Sequence, residues 1–444
     1  MARTPITLAF RIVLGVPLFA AVQVLAQSGL RGNWQGGWTR DGATLPVTFT
    51  FQQIDSAITG SFGSDQLRVI GIPVSKISYR PPVVHFEIVG DATTAVFDGE
   101  MKGDSIRGRF KDGNADGQFV LRRTSRTATD PYRTEEIAFQ NGDVKLAGSL
   151  LIPTDGRRTH AVVLFMHGSG GEGRYASRFL ADLFARDGIA ALIFDKRGVG
   201  ASTGNWRQST FSDLANDAIA GIEFLKRRQD IDARRIGIFG HSQGAAIAPL
   251  VASRSPAVSF VIASAATGIP MAEGERYSLH NSLGGQDLTP EEARKAERYV
   301  DLMVESGRAG YRTPALDSAV MRDSTARWFF AAPAKDSYYW TFSKEIADYN
   351  PAAYWTRVRV PVLLLYGAKD QRVSVDESVR SIKAALETAQ NHLYTVRVFP
   401  NANHTLRLTS ASGSGFAWPR NAPGYLETLS QWTLDVTHSA TRKR

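Results

Sequence analysis

Ile236-Gly237-Ile238-Phe239-Gly240-His241-Ser242-Gln243-Gly244-Ala245-Ala246-Ile247-Ala248 is the stretch on which the fold turns. Strand-like apolar sequence runs into Gly-x-Ser-x-Gly, and a helix-forming, alanine-rich run follows at once. A serine on so tight a strand-to-helix turn takes a strained backbone, and glycines two places either side permit the close approach of strand and helix. The turn lifts the Ser242 hydroxyl clear of the sheet and sets the Gln243 N–H beneath a reacting carbonyl oxygen. Ser242 is therefore expected to be a nucleophile and Gln243 an oxyanion donor.

A serine hydroxyl attacks poorly until a base takes its proton, and that base needs an acid to orient it. On a strand-to-helix elbow both are expected later in the chain, acid first. Val362-Leu363-Leu364-Leu365-Tyr366-Gly367-Ala368-Lys369-Asp370 is a buried strand opening into a loop that ends in an acid, which selects Asp370. Asp376 and Glu377 follow at a helix start, where charge complementing the helix dipole explains them. Tyr394 to Phe399 alternates as a strand, and Pro400-Asn401-Ala402-Asn403-His404 follows as a loop, which selects His404. His392 precedes that strand and falls at the wrong end; His85 and His280 read as ordinary surface or core residues. The second oxyanion N–H is expected from His167-Gly168-Ser169-Gly170-Gly171, as Ser169 or Gly170, with the His167 ring bracing the loop.

Around the elbow the sequence alternates strand and helix. Ala161–Met166 is a continuous apolar run, and Ala190–Phe194, Arg235–Phe239, Phe260–Ala263 and Val360–Tyr366 read as further strands, with helical patterns at Ala176–Asp187 and Leu214–Arg228. Such alternation predicts a mainly parallel, doubly wound sheet covered on both faces. It lapses at about 268–349 into charged helical sequence such as Pro290-Glu291-Glu292-Ala293-Arg294-Lys295, a helical cap inserted between two strands. Before residue 124 the pattern is different. Val47–Phe51, Val83–Ile88, Ala95–Gly99, Ser105–Phe110 and Gly117–Leu121 are short strands at even spacing, an all-β barrel or sandwich over 27–124 that Trp34 is placed to plug. A polar stretch at 125–132 reads as linker, and 133–444 as the α/β domain.

Arg3 and Arg11 flank the apolar run Ile12–Ala26, and Val24-Leu25-Ala26 ends in a small residue. This predicts a signal peptide over 1–26, cleaved after Ala26, and a secreted or periplasmic protein. About 15 apolar residues, interrupted by Pro17, are short of the roughly 20 that span a bilayer, so no membrane span is expected. With no cysteine in 444 residues, disulfides, thiolate metal sites and a Cys nucleophile are excluded. The net charge is +9, but the basic residues are scattered among acids, and Thr441-Arg442-Lys443-Arg444 reads as a solvated end. Nucleic acid is not an expected partner.

Gly168-Ser169-Gly170-Gly171-Glu172-Gly173 also fits Gly-x-Gly-x-x-Gly after a strand, with Asp195 about twenty residues on, the dinucleotide fingerprint. That reading leaves Ser242, Asp370 and His404 unexplained, and an exported chain meets little NAD. No cofactor is expected. Asp195-Lys196-Arg197-Gly198-Val199-Gly200-Ala201-Ser202 reads instead as a Gly-rich turn clamped by its Asp and Arg. No His-Glu-x-x-His and no cluster of metal ligands occurs, so no metal is expected either.

The elbow, Asp130-Pro131-Tyr132, Leu146–Leu150, His167–Gly171, Asp195–Gly204, Gly367–Val373 and Asn403-His404 together resemble the α/β-hydrolase superfamily. They look most like its exported bacterial esterases with an N-terminal β domain and a helical cap. The resemblance implies a serine hydrolase acting on a small-molecule carboxylic ester through a Ser-His-Asp triad and an acyl-enzyme. Related branches hold peptidases, which on this chain would select an amine through cap acids such as Glu273 or Glu275, and thioesterases or acyltransferases. A third expectation, from a different class, is a glycan- or lipid-binding protein with an inert hydrolase core.

Overall fold

The computed structural model describes residues 29–54, 57–89, 94–113, 115–125, 130–284, 287–408 and 420–442. The expected signal peptide and its cleavage site lie outside these residues, as does part of the expected linker. The chain forms two compact units, Met1–Ser64 with Gly71–Thr127, and Asp65–Ile70 with Ala128–Arg444.

The first unit is a closed antiparallel barrel, each strand paired to its sequence neighbour and the last to the first. Its strands are β1 (Gly32–Arg40), β2 (Ala43–Ile54), β3 (Ala57–Ser64), β4 (Val69–Arg80), β5 (Val83–Val89), β6 (Thr94–Lys102), β7 (Ser105–Asp112) and β8 (Ala115–Thr124). The alternation read in the sequence turns apolar residues inward, and the interior is filled with rings. Trp34, Phe49, Phe51, Phe86, Phe97 and Phe119 are all buried, with Phe86 and Phe97 stacked at 4.8 Å. Trp34 donates from Nε1 to the Leu30 carbonyl at 3.0 Å and lies under the Arg123 guanidinium. Gly36 is dictated by closure, since a Cβ there would sit 1.8 Å from the Val120 carbonyl oxygen of β8.

The second unit is built on an eight-stranded mixed sheet. Its strands are β9 (Tyr132–Asn141), β10 (Val144–Pro153), β11 (His160–Met166), β12 (Ala190–Phe194), β13 (Ile231–His241), β14 (Val258–Ser264), β15 (Val362–Gly367) and β16 (Tyr394–Phe399). They lie in the order β16-β15-β14-β13-β11-β12-β10-β9. β11 to β16 are parallel, while β9 and β10 form an antiparallel hairpin whose turn holds Gly142 at φ 56°. β11 shows why such strands read as unbroken apolar runs: Val162, Leu164 and Met166 enter one core, and Ala161, Val163 and Phe165 the other.

Helices α1 (Tyr175–Arg186), α2 (Phe211–Lys226) and α3 (Gln243–Arg254) follow β11, β12 and β13. The cap, inserted between β14 and β15, comprises α4 (Met271–His280), α5 (Pro290–Ala309), α6 (Pro314–Asp323) and α7 (Tyr338–Ile346). A short α8 (Ala352–Trp355), then α9 (Val375–Thr388) and α10 (Tyr425–Arg442), complete the unit. α2, α3 and α9 cover one sheet face; α1 and α10 cover the other. The cap has a small core of its own, with Tyr299, Met303, Leu316, Trp328 and Trp340 buried together. Its main helix has clear local punctuation: Thr289 and Glu292 form a capping box, Pro290 opens the first turn, and Gly310 ends the helix in the left-handed conformation.

The architecture is an α/β-hydrolase fold with a helical cap and an N-terminal antiparallel barrel. No helix among the described residues is long and apolar enough to cross a membrane.

Candidate active site

Ser242 sits between β13 and α3 with φ 53° and ψ −113°, a conformation that costs a non-glycine residue strain. The surroundings hold it there: its N–H donates to the Ser264 carbonyl at 2.9 Å, and its carbonyl accepts the first helical bond, from Ala246, at 3.0 Å. A Cβ on Gly240 would lie 2.4 Å from the Gly244 carbonyl, and one on Gly244 2.7 Å from the His167 carbonyl oxygen. Both glycines of the elbow are therefore required by backbone-to-backbone contact.

Asp370 and His404 stand in the loops after β15 and β16, and the parallel strands bring their loops to the edge where the elbow lies. His404 Nε2 is 2.9 Å from Ser242 Oγ, and His404 Nδ1 is 2.8 Å from Asp370 Oδ2. The other carboxylate oxygen of Asp370 accepts the main-chain N–H of Arg372 at 2.7 Å and of Val373 at 3.0 Å. Tyr277 of the cap donates its hydroxyl to the Asp370 carbonyl at 3.0 Å. The Asp370 side chain is wholly shielded from solvent, whereas a fifth of the His404 side chain remains accessible.

These groups open onto a cavity of about 470 Å³. Ser242, Gln243, Ser169 and His404 line one side, and the cap residues Met303, Tyr339 and Phe342 another. Gln243 is the first residue of α3, so its N–H has no acceptor within the helix. Of the two candidates for the second donor, Ser169 lines the cavity, and the Gly170 carbonyl accepts from Lys196 Nζ at 2.9 Å. Glu275 lines the cavity and accepts the Tyr339 hydroxyl at 2.7 Å; Glu273 is exposed and does not line it.

The histidines set aside at the sequence level lie elsewhere: His85 contacts Asp98 at 2.7 Å in the barrel, His280 contacts Glu297 at 2.6 Å on the cap, and His392 precedes β16. Asp376 and Glu377 occupy the first turn of α9. His167 Nε2 donates to the Phe194 carbonyl at 2.5 Å, and burial, with the Lys196 charge adding to it, holds the imidazole down at about 4. His241, whose ring lies 5.1 Å from that of His404, is pushed by desolvation and by His404 to about 3. Both rings stay neutral at ordinary pH and add no competing positive charge beside His404.

In the glycine-rich loop, Gly168 N–H donates to Glu172 Oε2 at 2.7 Å. The Asp195 carboxylate is taken up by Arg174, at 2.8 Å from Nη2, and by the Ala201 N–H at 3.1 Å. The acid that the dinucleotide pattern would aim at a ribose is thus bound within the protein. Arg197 forms a two-pronged bond to Asp217 at 2.6 and 2.7 Å. Lys196, between them, carries no expectation from the sequence, and lysines are seldom fully buried; it is 2% exposed here. Among the described residues no cluster of three or more His, Asp or Glu side chains gathers as a metal site.

The chain is similar to Esterase EstD of Thermotoga maritima, 25% identical over 320 residues that span 70% of this chain and 69% of that one. It is similar over a shorter stretch to the quorum-quenching protein AidA of Acinetobacter baumannii, 33% identical over 115 residues, 26% of this chain and 38% of that one. Among solved structures it is similar to an esterase of Pyrococcus furiosus, with 18% identity, coverage of 70% of this chain and 91% of that one, and a TM-score of 0.43. The family described as alpha/beta hydrolase fold matches residues 161–411. With more than half of its length matched in this way, from β11 past His404, the chain belongs to the alpha/beta hydrolase fold family.

Proposed function

We propose that this protein is an exported serine hydrolase that cleaves carboxylic esters through an acyl-enzyme. Ser242 Oγ attacks the carbonyl carbon while His404 Nε2 takes its proton. The negative charge that forms on the carbonyl oxygen is met by the Gln243 and Ser169 N–H groups. As the tetrahedral adduct collapses, the C–O bond to the alcohol breaks and His404 returns the proton to the departing oxygen. Water, deprotonated by the same imidazole, then attacks the acyl-Ser242 ester and releases the acid. Asp370 stays ionised throughout, fixing the His404 tautomer and facing the imidazolium that forms in each step. The observation that carries this reading is the unbroken line Asp370–His404–Ser242, each contact under 3 Å, ending at the cap-covered cavity. The likeness to an esterase over 70% of this chain supports the ester as substrate.

The test is the Ser242→Ala variant against short-chain nitrophenyl esters. Turnover is expected to fall by on the order of 10⁶, and labelling by a fluorophosphonate to disappear. Wild-type rates in folded Ser242→Ala would overturn the assignment. A second reading, an aminopeptidase on the same groups, is favoured by Glu275, a carboxylate in the cavity wall placed to meet a substrate amine. Aminoacyl anilides turned over faster than the nitrophenyl esters would select it.

A further inference from the structure

Lys196 follows β12 and takes no part in the steps above, yet it has the most committed side-chain nitrogen near the site. Its three N–H bonds have three acceptors: the Gly168 carbonyl at 2.8 Å, the Gly170 carbonyl at 2.9 Å and Gln243 Oε1 at 2.8 Å. The two carbonyls flank Ser169, and Gln243 opens α3. One ammonium therefore ties together the two residues whose N–H groups are assigned to the oxyanion, and this inference rests on that assignment.

The charge itself needs an explanation. All three hydrogen-bond acceptors are neutral. The nearby charged groups are committed elsewhere: Glu172 to the Gly168 N–H, Asp195 to Arg174, Asp217 to Arg197. His167 is neutral, and the Trp206 ring, 5.6 Å from Nζ, has Arg207 against it. Burying an ammonium among neutral acceptors, with Glu172 pulling on it only through space, is costly, and a neutral group of the same shape would brace a loop without that cost. A further anion appears during the reaction, when the carbonyl oxygen of the ester becomes negative between the two donors that Lys196 holds.

We propose that Lys196 is a positioning residue for the hydrolysis: its ammonium fixes the spacing of the Ser169 and Gln243 N–H donors and supplies the positive potential that the oxyanion answers. Its effect is felt in the transition state and only weakly in substrate binding. Burial lowers the Lys196 amine to about 8, against the pull of Glu172. Above that pH it loses one donor and its charge, and the hole loosens.

The experiment compares the full chain with Lys196→Met, which keeps the stem and removes the ammonium, and with Gln243→Met, which removes one acceptor but keeps the main-chain N–H. With a short-chain nitrophenyl ester, kcat of Lys196→Met is expected to fall 10- to 100-fold with KM changed less than threefold. Fluorophosphonate labelling should slow in parallel, and the fall in activity above pH 8 should vanish. Gln243→Met should lose kcat to a smaller extent, and the double variant should lose less than the product of the two. A folded Lys196→Met with kcat within twofold of wild type, or a loss carried wholly by KM, overturns the proposal. If Lys196→Met does not fold, an unchanged kcat in Gln243→Met overturns it instead. Either result leaves Ser242 labelling intact in the parent protein, so it is distinguishable from failure of the serine assignment, in which the parent is not labelled at Ser242.

Discussion

Asp370→Asn changes one atom and is expected to abolish most of the activity for a reason the hydrogen bonds make explicit. Two main-chain N–H groups, from Arg372 and Val373, converge on one side-chain oxygen of Asp370, and His404 Nδ1 meets the other. A carboxamide in this place turns its oxygen to the two fixed donors and its NH₂ to His404. Two donors cannot face each other, so Nδ1 becomes the acceptor and the ring proton moves to Nε2. That nitrogen then donates to Ser242 instead of accepting its proton. The opposite amide rotamer restores the base but strands two buried N–H groups, at roughly 1–3 kcal/mol each. The productive form is thereby held to between about one part in thirty and one part in 10⁴. Loss of the charge facing the imidazolium removes roughly a further 1–2 kcal/mol, which places the expected drop in kcat/KM near 10⁴, on the order known for this exchange in serine proteases. The assay is hydrolysis of a short-chain nitrophenyl ester at pH 7.5, with a melting curve beside it. The melting temperature should stay close to wild type, because the amide oxygen still satisfies both N–H groups. A folded Asp370→Asn within tenfold of wild type would refute the role given to this acid.

Gly240→Ala is expected to destabilise the α/β unit by at least about 3 kcal/mol, since its methyl meets the Gly244 carbonyl at 2.4 Å and neither backbone has room to yield; a urea titration checks it. His167 and His241 are held neutral down to about 4 and 3, while in the unfolded chain each takes a proton near 6.5. The unfolded state therefore binds more protons as pH falls, and stability drops between pH 6.5 and 5, above the range where carboxylates titrate, by up to about 2 kcal/mol per histidine. Urea midpoints across that range measure it, and a flat profile would contradict it. Lys196 acts at the other end: between about 8 and 10.5 the unfolded chain keeps a proton that the folded one releases, so this group makes stability rise while activity falls.

Most of the sheet was legible because strands buried on both faces must be apolar throughout, and runs such as Ala161–Met166 and Leu363–Tyr366 leave little choice. The elbow was legible for a steric reason, its glycines being the only residues that fit. Three barrel strands, β1, β3 and β4, lack the alternation that marks the other five. Ala57-Ile58-Thr59-Gly60-Ser61-Phe62-Gly63-Ser64 is rich in glycine and serine, and its place in the barrel is fixed by pairing with β2. A Cβ on Gly60 would meet the Phe51 ring at 2.8 Å, so the very residue that weakens the strand signal makes room for the core. The β9–β10 hairpin is faint in the sequence, because a positive-φ turn at Gly142 leaves only Asn141-Gly142-Asp143 as its trace. Around Ser242, the positions that chain order and strand ends dictate were readable; those that depend on three-dimensional convergence were not. Lys196 carries no such signal, since nothing in its neighbours along the chain tells that two carbonyls and a distant glutamine will surround it. His241 likewise looks like an arbitrary residue of the motif until its ring is found beside that of His404.

The filled barrel has a consequence for its evolution. Among the described residues the axis of the cylinder is crowded with nine buried aromatic side chains, Trp34, Trp38, Phe49, Phe51, Phe62, Phe86, Phe97, Phe110 and Phe119. Selection on such a domain beyond its own folding acts on its outer skin, where Asp98, Arg109, Lys111 and Asp116 stand in water. Inner positions will tolerate only swaps of one bulky ring for another, while the outside is free to drift, acquire charge or be remade.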